Sequence, residues 1–265
     1  MTRSAELNRA AADLIFSHWQ AGTRMSALPE PLRPATRAEG YAIQAHLEAR
    51  SAQPLYGWKI AATSLAGQAH IGVKSPLAGR LLAEHVYENG ATLPWAHNFM
   101  SVAEAEFAFR MAHDLPPRAT PYTVADVLDA VAGLHPAIEV PDSRFTDFAA
   151  VGAAQLIADN ACAHDFVLGP PTTANWRALD LVEHRATARI TGGPVHEGTG
   201  GNVLGDPRLA LAWLVNELSQ HGVTLRSGQV VTTGTCALPL PIAPGAEMVV
   251  DFGMLGRVSA RFGTI

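Results

Sequence analysis

The sequence has few cysteines and little charge. Cys162 and Cys236 are the only cysteines among 265 residues, and they stand far apart. One disulfide would not be enough to hold together a chain of this length, so the pair fits a reducing compartment. Charged residues make up 16% of the chain and hydrophobic residues 48%, which is typical of a compact globular protein rather than a disordered one.

The sequence also lacks an excess of basic charge and an uninterrupted apolar segment. Its formal net charge is −5, so the composition does not favour binding to nucleic acid. Gly234 and three prolines interrupt the least charged stretch, residues 230–247, which therefore cannot be a membrane-spanning helix. Asp13 breaks an apolar segment that a signal peptide would keep intact. We expect a cytoplasmic protein with no nucleic-acid partner and no membrane partner.

Several motifs that identify common enzyme classes are missing. The sequence has no G-x-S-x-G elbow, no G-x-x-x-x-G-K-[ST] loop, no H-E-x-x-H and no C-x-x-C. The glycine-rich stretch 198–203 ends in Val203, where a dinucleotide-binding fingerprint needs a glycine. We therefore expect no glycine-rich cradle for phosphate.

Lysine is scarce. Two of the 19 basic residues, Lys59 and Lys74, are lysine, and the others are arginine. A genomic preference for arginine codons explains this bias and says nothing about function. A lysine that persists despite the bias is more often found at a position that needs a compact ammonium group, whose pKa burial can shift. Both lysines are therefore candidates for a functional role.

The first 54 residues are predicted to be mainly helical. Apolar side chains recur at helical intervals over residues 5–19, and Thr36 with Glu39 forms a capping box that opens a second helix. Farther along the chain, Asp206 is the predicted N-cap of another helix. The later helices are predicted at residues 124–132, 153–161 and 207–221.

Residues 55–265 are predicted to form a β-rich core of short strands separated by glycine and proline turns. Strands and helices do not alternate regularly, so the pattern favours a mixed α+β fold over a doubly wound sheet. We predict a single catalytic domain over residues 1–265. The strands are predicted at residues 55–60, 102–111, 137–140, 165–168, 182–190, 230–233, 248–252 and 258–262.

Two glutamates share one face of the predicted strand 102–111. Glu104 and Glu106 are two residues apart, so their side chains point to the same side, whereas Phe107 and Phe109 point to the other. Carboxylates about 7 Å apart along a strand can converge on one hard cation, but they repel each other without one. A solvated strand face would explain the same pattern with no ligand, and this alternative stays open for the pair alone.

A third glutamate favours the metal hypothesis. Glu139 lies between Ile138 and Val140, so its strand has an apolar face and the carboxylate is expected to be partly buried. A buried carboxylate must be paired, metal-bound or protonated. Three glutamates would leave positions on an octahedral Mg²⁺ or Mn²⁺ ion for water and for a chelating 2-oxo acid. Such an ion would stabilise the enolate that forms when a proton moves next to the carbonyl group.

Five segments occur in the order and spacing of one enzyme group. They are Gly57-Trp58-Lys59-Ile60-Ala61, the pair Glu104 and Glu106, Pro136-Ala137-Ile138-Glu139-Val140 with Ser143-Arg144, Asp159-Asn160-Ala161, and Val231-Thr232-Thr233-Gly234-Thr235. Together they resemble the 2-keto-4-pentenoate hydratases of the fumarylacetoacetate hydrolase superfamily. That group also contains the 4-oxalocrotonate decarboxylases and the 2-oxohept-3-ene-1,7-dioate hydratases. The resemblance runs from about Tyr41 to Phe262.

The resemblance implies an α+β fold with a mixed β-sheet roll or sandwich core of the fumarylacetoacetate hydrolase C-terminal type, preceded by a helical region. It implies that Glu104, Glu106 and Glu139 hold Mg²⁺ or Mn²⁺. It also places Lys59 beside the carboxylate and the enolate oxygen of the substrate, as a catalytic and substrate-binding residue. The chain is further expected to form a homo-oligomer.

One segment departs from the family pattern. Members typically read V-D-x-P-D-x-G, where an aspartate is a candidate acid or base, but here Lys74 and Leu77 replace the two acids. Leucine cannot carry a proton. Either another group serves, such as a water on the metal or Lys59, or the protein catalyses a different reaction on a related substrate. Leu77 is expected to line the substrate site.

Other positions are weaker candidates. Thr233 and Thr235 flank Gly234 at a strand end, where a backbone N–H and a hydroxyl could hold a substrate carboxylate. His164 could line the pocket and titrate near neutrality, although a structural histidine is the simpler interpretation. Glu197 is predicted to lie in a loop. This loop either closes over the active site or is a surface loop without a role in the reaction. The cysteines are expected to be buried and unreactive.

The sequence therefore predicts a metal-dependent hydratase that acts on a short 2-hydroxy-2,4-dienoate or 2-oxo-4-enoate in the catabolism of aromatic compounds. One alternative is decarboxylation or C–C hydrolysis of a 2-oxo acid or diacid on the same metal site, because decarboxylation forms its enolate without prior proton removal. Another is a non-catalytic homologue that partners an active paralogue. The expected partners are a small 2-oxo acid and further copies of the chain, with another enzyme of the pathway as an additional candidate.

Overall fold

The computed structural model describes residues 4–95 and 98–264. Within these ranges no helix is both long enough and apolar enough to cross a membrane. The six α-helices described are α1 (Ala5–Ala21), α2 (Arg37–Gln44), α3 (Leu65–His70), α4 (Val124–Asp129), α5 (Ala153–Ala158) and α6 (Pro207–Gln220). The thirteen strands described are β1 (Gly57–Ala61), β2 (Leu77–Leu81), β3 (Val86–Glu88), β4 (Thr92–Leu93), β5 (Val102–Met111), β6 (Val131–Val140), β7 (Asp165–Leu168), β8 (Arg185–Ile190), β9 (Val195–Thr199), β10 (Val230–Thr235), β11 (Leu240–Pro241), β12 (Glu247–Asp251) and β13 (Arg257–Phe262).

Helices α1, α2 and α6 begin at capping residues. Ser4 caps α1 by accepting a hydrogen bond from the backbone N–H of Leu7. Thr36 and Glu39 form the predicted capping box of α2. Asp206 caps α6, as predicted. These signals lie within a few residues of each helix start, which is why the sequence alone could locate them.

The strands form two mixed sheets within the described ranges. The first has the order β2-β1-β10-β5-β6-β7-β3, and β11 also pairs with β5. Its β1–β10 and β3–β7 pairs are parallel, and its other pairs are antiparallel. The second has the order β4-β13-β12-β8-β9, in which β4 and β13 are parallel. The prediction of an α+β fold with mixed sheets is confirmed.

One face of β5 packs into the core between the sheets. Phe107 and Phe109 are buried there, as the strand alternation predicts. The Phe107 ring meets Phe252, which follows β12 of the second sheet, edge to face with centroids 4.9 Å apart. The opposite face of β5 is therefore left for the glutamates.

Some predicted elements differ in extent from those observed. The helix predicted at residues 124–132 ends at Asp129, and β6 begins at Val131. The strand predicted at residues 137–140 is the second half of the ten-residue β6. Strand β2 was not predicted, because all five of its residues are buried and no polar alternation marks it.

After α5 the chain makes a left-handed turn instead of continuing as a helix. Asn160, Ala161 and Cys162 have φ values of 58°, 51° and 60°, a region that residues other than glycine rarely adopt. The Asn160 side chain holds the turn against Arg80, because its amide donates to the Arg80 carbonyl at 2.8 Å and its oxygen accepts from the Arg80 N–H at 2.6 Å.

A buried ion pair fixes the base of this turn. Arg144 Nε donates to Asp159 Oδ1 at 2.5 Å, and the Arg144 backbone N–H donates to Asp159 Oδ2 at 3.0 Å. The Ser143 hydroxyl donates to the same oxygen at 2.6 Å. Burial raises the pKa of Asp159, whereas the Arg144 charge lowers it. The Ser143-Arg144 and Asp159-Asn160-Ala161 segments are therefore parts of one buried support.

Gly79 of β2 lets the turn pack directly on the sheet. A Cβ at this position would lie 2.3 Å from the Asn160 carbonyl oxygen and 3.1 Å from Lys59 Cγ. We expect Gly79→Ala to lower the free energy of unfolding by about 1–3 kcal/mol, the usual cost of overpacking. Gly133→Ala is the control, since its Cβ would meet nothing closer than His135 Nε2 at 3.9 Å. Urea denaturation followed by circular dichroism measures both variants, and equal free energies of unfolding would contradict this account.

Candidate metal centre and active-site cavity

Strands β5 and β6 bring three glutamates together. The alternation of β5 turns Glu104 and Glu106 to one face, and the antiparallel register places Glu104 opposite Glu139 of β6. One carboxylate oxygen from each residue lies within 4.8 Å of the other two. We call these three residues the glutamate triad. The predicted convergence is therefore present, and ligation of a metal by the triad stays a prediction.

The protein leaves several oxygens of the triad without a hydrogen-bond donor. Among the described residues, no donor hydrogen-bonds to Glu139 Oε2 or to Glu106 Oε1, although these atoms are buried, and Glu139 Oε1 has only an ion-pair partner, Lys59 Nζ. Glu106 Oε2 accepts from the Gly234 N–H at 2.8 Å and from the Thr232 hydroxyl. Buried carboxylate oxygens without partners are costly, and hard cations such as Mg²⁺ and Mn²⁺ prefer oxygen ligands. The residues present therefore fit a divalent ion.

Burial raises the pKa of every carboxyl group in the triad. For Glu106, burial and the charge of Glu104 raise the pKa to about 8, against the opposing effect of Lys59. Burial also raises the pKa of Glu104, and it raises the pKa of Glu139 well above its usual range. The groups are close enough to titrate as a coupled set. A divalent cation would favour their ionised forms.

Lys59 of β1 lies beside the triad. Its Nζ is 3.3 Å from Glu139 Oε1 and donates a hydrogen bond to the Ala161 carbonyl oxygen at 3.1 Å. Burial lowers the pKa of Lys59, but the charges of Glu139 and Glu104 outweigh burial, so the pKa lies above its ordinary value. Lys59 is therefore a charged ammonium group held between the triad and the left-handed turn.

A cavity of about 730 Å³ reaches this centre. Lys59, Glu104 and Gly234 line it, and so does Leu77, at the position where the resembled family carries an acid. Within the described part of the chain, Lys59 is the one lysine or arginine in the lining. Much of the remaining wall is apolar and includes Ile71, Met100, Val102, Phe148, Leu156 and Leu238.

Thr233 and Gly234, at the end of β10, lie in different surroundings. The register of β10 against β5 shifts between Thr232 and Thr235, and Gly234 has a φ of 97° in this bulge. Gly234 lines the cavity, where a Cβ would lie 2.1 Å from a threonine hydroxyl oxygen. Thr233 is fully buried and donates its hydroxyl to the Phe107 carbonyl at 3.0 Å. The sheet already uses the Thr233 hydroxyl, as Glu106 uses the Gly234 N–H, and the substrate contacts of both residues stay predictions.

His164 lies outside this cavity. Its ring packs against Trp19 and His85, with centroids 5.6 Å and 5.2 Å away, in the wall of a second cavity. Burial lowers the pKa of His164 to about 4, although the Asp165 charge opposes this shift. The left-handed turn redirects the chain just before His164, which is why the structure does not bring this residue to the triad, and its contact with substrate stays a prediction.

Two residues of the cavity lining, His70 and Glu197, differ from what the sequence predicts. His70, at the end of α3, lines the cavity with its ring centroid 5.7 Å from that of Phe148, and no motif marks it. Glu197 also lines the cavity but belongs to β9 rather than to a loop. Its neighbour Gly198 allows a close approach, since a Cβ there would lie 2.0 Å from the Cys236 carbonyl oxygen.

Both cysteines are buried, as expected. Burial raises the pKa of Cys162 to about 12 and also raises the pKa of Cys236. The Cys236 thiol donates to the Ala105 carbonyl oxygen at 3.1 Å. Since the thiolate is the reactive form, neither side chain is a good nucleophile near neutral pH.

Comparison with known proteins agrees with this geometry. Residues 69–263 match the fumarylacetoacetate (FAA) hydrolase C-terminal family. The TodF product hydratase of Pseudomonas putida F1 is 31% identical, and the match covers 96% of this chain and 94% of that protein. The 2-keto-4-pentenoate hydratase of Burkholderia vietnamiensis is 34% identical over 84% of each chain.

A solved structure extends the likeness to the whole fold. The 4-oxalocrotonate decarboxylase of Pseudomonas putida G7, complexed with magnesium and adipate, superposes with a TM-score of 0.89 at 28% identity. The superposition covers 98% of this chain and 99% of the decarboxylase. The predicted fold type, including the helical N-terminal region, is therefore confirmed.

We expect Glu106→Gln and Glu139→Gln to weaken Mn²⁺ binding by at least about 100-fold. Loss of a group that merely orients a metal ligand already costs about 10–100-fold, and these substitutions remove the charged oxygen itself. Isothermal titration calorimetry measures the affinity. Glu197→Gln is the matched control, because it removes a carboxylate from the same cavity but outside the triad. If all three variants bind like the wild type, the triad is not the metal site.

The triad should also make stability depend on pH when metal is removed. The pKa of Glu106 is about 8 in the folded chain and about 4.3 in the unfolded chain, so the folded state binds more protons between these values. Its contribution to stability is therefore present at low pH and is lost as pH rises through about 8. In EDTA we expect the stability of Glu106→Gln, relative to the wild type, to increase from about pH 5 to about pH 8. Urea denaturation measures this difference, and a constant difference would refute the assignment.

Proposed function

The chain belongs to the fumarylacetoacetate hydrolase family, and from this premise we propose that it is a divalent-metal-dependent hydratase. Its substrate is a 2-hydroxy-2,4-dienoate, or the 2-oxo-4-enoate tautomer, and its product is a 4-hydroxy-2-oxo acid. The names of its hydratase relatives support this substrate class. The reaction would serve the catabolism of aromatic compounds in the cytoplasm.

The main support for this proposal is the separation of charged and apolar residues in the wall of the cavity. The glutamate triad and one buried ammonium group lie at one part of the wall, and much of the rest is apolar. A dienol acid has the matching polarity, because its carboxylate and 2-oxygen form a compact anionic head on a hydrocarbon tail. Its head can chelate a metal ion on the triad while its tail lies against the apolar wall.

Each charged group has a distinct role in this proposal. A Mg²⁺ or Mn²⁺ ion held by Glu104, Glu106 and Glu139 would supply Lewis-acid stabilisation of negative charge at the 2-oxygen. Lys59 binds the substrate carboxylate or the developing enolate oxygen, because its ammonium group is charged, desolvated and positioned by Ala161. The apolar wall excludes water from the tail except where addition occurs.

The dienol must gain a proton at its far carbon before water adds to the conjugated alkene. Leu77 cannot supply this proton. Cys162 is unsuited because burial raises its pKa to about 12. Among the described lining residues that remain, His70 and Glu197 are the groups outside the metal centre whose side chains are of the types that serve as general acids. We propose that one of them takes the role of the missing acid.

Decarboxylation of a 2-oxo diacid is the second candidate. Leu77 favours it, because loss of CO₂ forms the enolate with no prior proton removal, and the fold neighbour named 4-oxalocrotonate decarboxylase agrees. The residues that line the cavity disfavour decarboxylation of a diacid. A diacid needs a cation at each end, and Lys59 is the one lysine or arginine among the described lining residues.

We also propose that the N-terminal helices and the β-rich core act as one catalytic domain over residues 1–265. Gln44 of α2 supports this, since its buried amide donates to the carbonyl oxygens of Ala78 at 2.9 Å and Ile157 at 2.8 Å. The helical region is thereby joined to β2 and α5, which flank the turn beneath Lys59. The family resemblance predicts that such domains assemble as a homo-oligomer.

Parallel assays with Mg²⁺ test the reaction. We expect 2-hydroxypenta-2,4-dienoate to give 4-hydroxy-2-oxopentanoate, and we expect 4-oxalocrotonate to release no CO₂, because its second carboxylate lacks a cationic partner in the cavity. NMR identifies the products. Release of CO₂ from the diacid with no hydration of the dienoate would establish the decarboxylase instead.

The two lysines provide a matched pair of substitutions. Lys59→Arg should lower kcat by at least about 100-fold, the usual cost of losing a donor to a developing oxyanion, because the larger guanidinium group cannot occupy the same buried position. Lys74→Arg makes the same change at an exposed residue and should leave the rate unchanged. Steady-state kinetics compares the two, and full activity in Lys59→Arg would remove Lys59 from the mechanism.

A further inference from the structure

A second cluster of potential metal ligands lies apart from the triad. His85, His164 and Asp165 each offer one donor atom, and the three atoms lie within 4.8 Å of one another. They line the second cavity, of about 380 Å³, together with Trp19. The cavity that reaches the triad is lined by other residues, so the proposed reaction makes no use of this cluster.

The distances within the cluster are close to those of a tetrahedral metal site. His85 Nδ1 lies 2.9 Å from Asp165 Oδ1, and His164 Nε2 lies 3.8 Å from Asp165 Oδ2. Donors at about 2.0–2.1 Å from a tetrahedral zinc ion are about 3.4 Å apart, which falls between these two values. Small side-chain rotations would therefore bring the three donors onto one ion.

The protein does not satisfy the His164 ring. Among the described residues, its buried Nδ1 has no hydrogen-bond partner, and the 3.8 Å from Nε2 to Asp165 is too long for a hydrogen bond. Trp19 covers the cluster, with its ring centroid 4.8 Å from that of His85. The Nε2 atom that faces Asp165 is thus the nitrogen placed to bind an ion of the cluster, and Nδ1 would remain on the other side of the ring. The cavity leaves space for water as a fourth ligand.

The charges of Arg144 and Arg24 disfavour positive charge at His164 and lower its pKa, but each arginine of this cavity pairs with a carboxylate outside the cluster, which reduces this repulsion. The pairs are Arg24–Asp142, Arg144–Asp159 and Arg50–Asp13. Asp165 contacts the two histidines. Its carboxylate therefore remains as the anionic ligand of the cluster.

We propose that His85, His164 and Asp165 bind one divalent transition-metal ion of the zinc class, distinct from the ion at the triad. Imidazole nitrogens favour zinc and its neighbours, whereas three carboxylates favour Mg²⁺ or Mn²⁺. The ion would connect the segment before β3 to the start of β7. It would thereby stabilise the folded chain.

Calorimetric titration of the full chain with Zn²⁺ in excess Mg²⁺ tests the site. We expect one zinc ion to bind the wild type, and also to bind Glu104→Gln, which alters the triad alone. His85→Ala and His164→Ala should each weaken zinc binding by at least about tenfold. His70→Ala removes a histidine from the other cavity and should bind zinc like the wild type.

Thermal unfolding provides a second measurement if an alanine variant folds poorly. Zinc should raise the Tm of the wild type, because it binds the folded chain preferentially, and should raise the Tm of the milder variant His164→Gln by less at the same zinc concentration. Co²⁺ should quench the fluorescence of the wild type more than that of Trp19→Phe. Equal zinc affinity in the wild type and both histidine-to-alanine variants, or an equal loss in His70→Ala, would overturn the proposal.

Discussion

Two buried carboxyl groups, the half-buried carboxyl group of Glu104 and one buried ammonium group meet at the end of the cavity, and this imbalance of charge governs the site. Lys59 can compensate one of the three glutamates, and its Nζ lies against Glu139. Without a further cation, the remaining charge must be avoided by protonation, which is why burial raises the pKa of Glu106 to about 8. A divalent ion would supply the missing positive charge and give the unsatisfied oxygens a partner. Metal binding and the electrostatics of the fold are therefore linked.

Much of the surrounding structure holds the ammonium group in place. The left-handed turn at residues 160–162 presents the Ala161 carbonyl oxygen to Lys59, and the backbone strain of this turn is offset by hydrogen bonds from Asn160. The buried Arg144–Asp159 pair anchors the turn from below. In the sequence alone, Asn160, Arg144 and Asp159 could be taken for catalytic groups. Their contacts show that they hold the turn that positions Lys59.

The parts of the site that depend on local geometry could be predicted from the sequence. Strand alternation placed Glu104 and Glu106 on one face, and the apolar neighbours of Glu139 indicated its burial. The other parts depend on contacts between distant segments. Near the bulge at Gly234, the Thr233 hydroxyl donates a hydrogen bond within the sheet. The turn after α5 directs His164 toward a different cavity. Neither the register shift nor the left-handed turn of non-glycine residues has a local sequence signal.

The central claim is that the glutamate triad holds a divalent ion against which Lys59 and the substrate are positioned. Anomalous diffraction from crystals grown with Mn²⁺ and oxalate tests it most directly. The account predicts one manganese peak within coordination distance of Glu104, Glu106 and Glu139, with oxalate chelating the ion and Lys59 Nζ contacting an oxalate oxygen. A triad with no manganese peak, or oxalate bound away from Lys59, would contradict it.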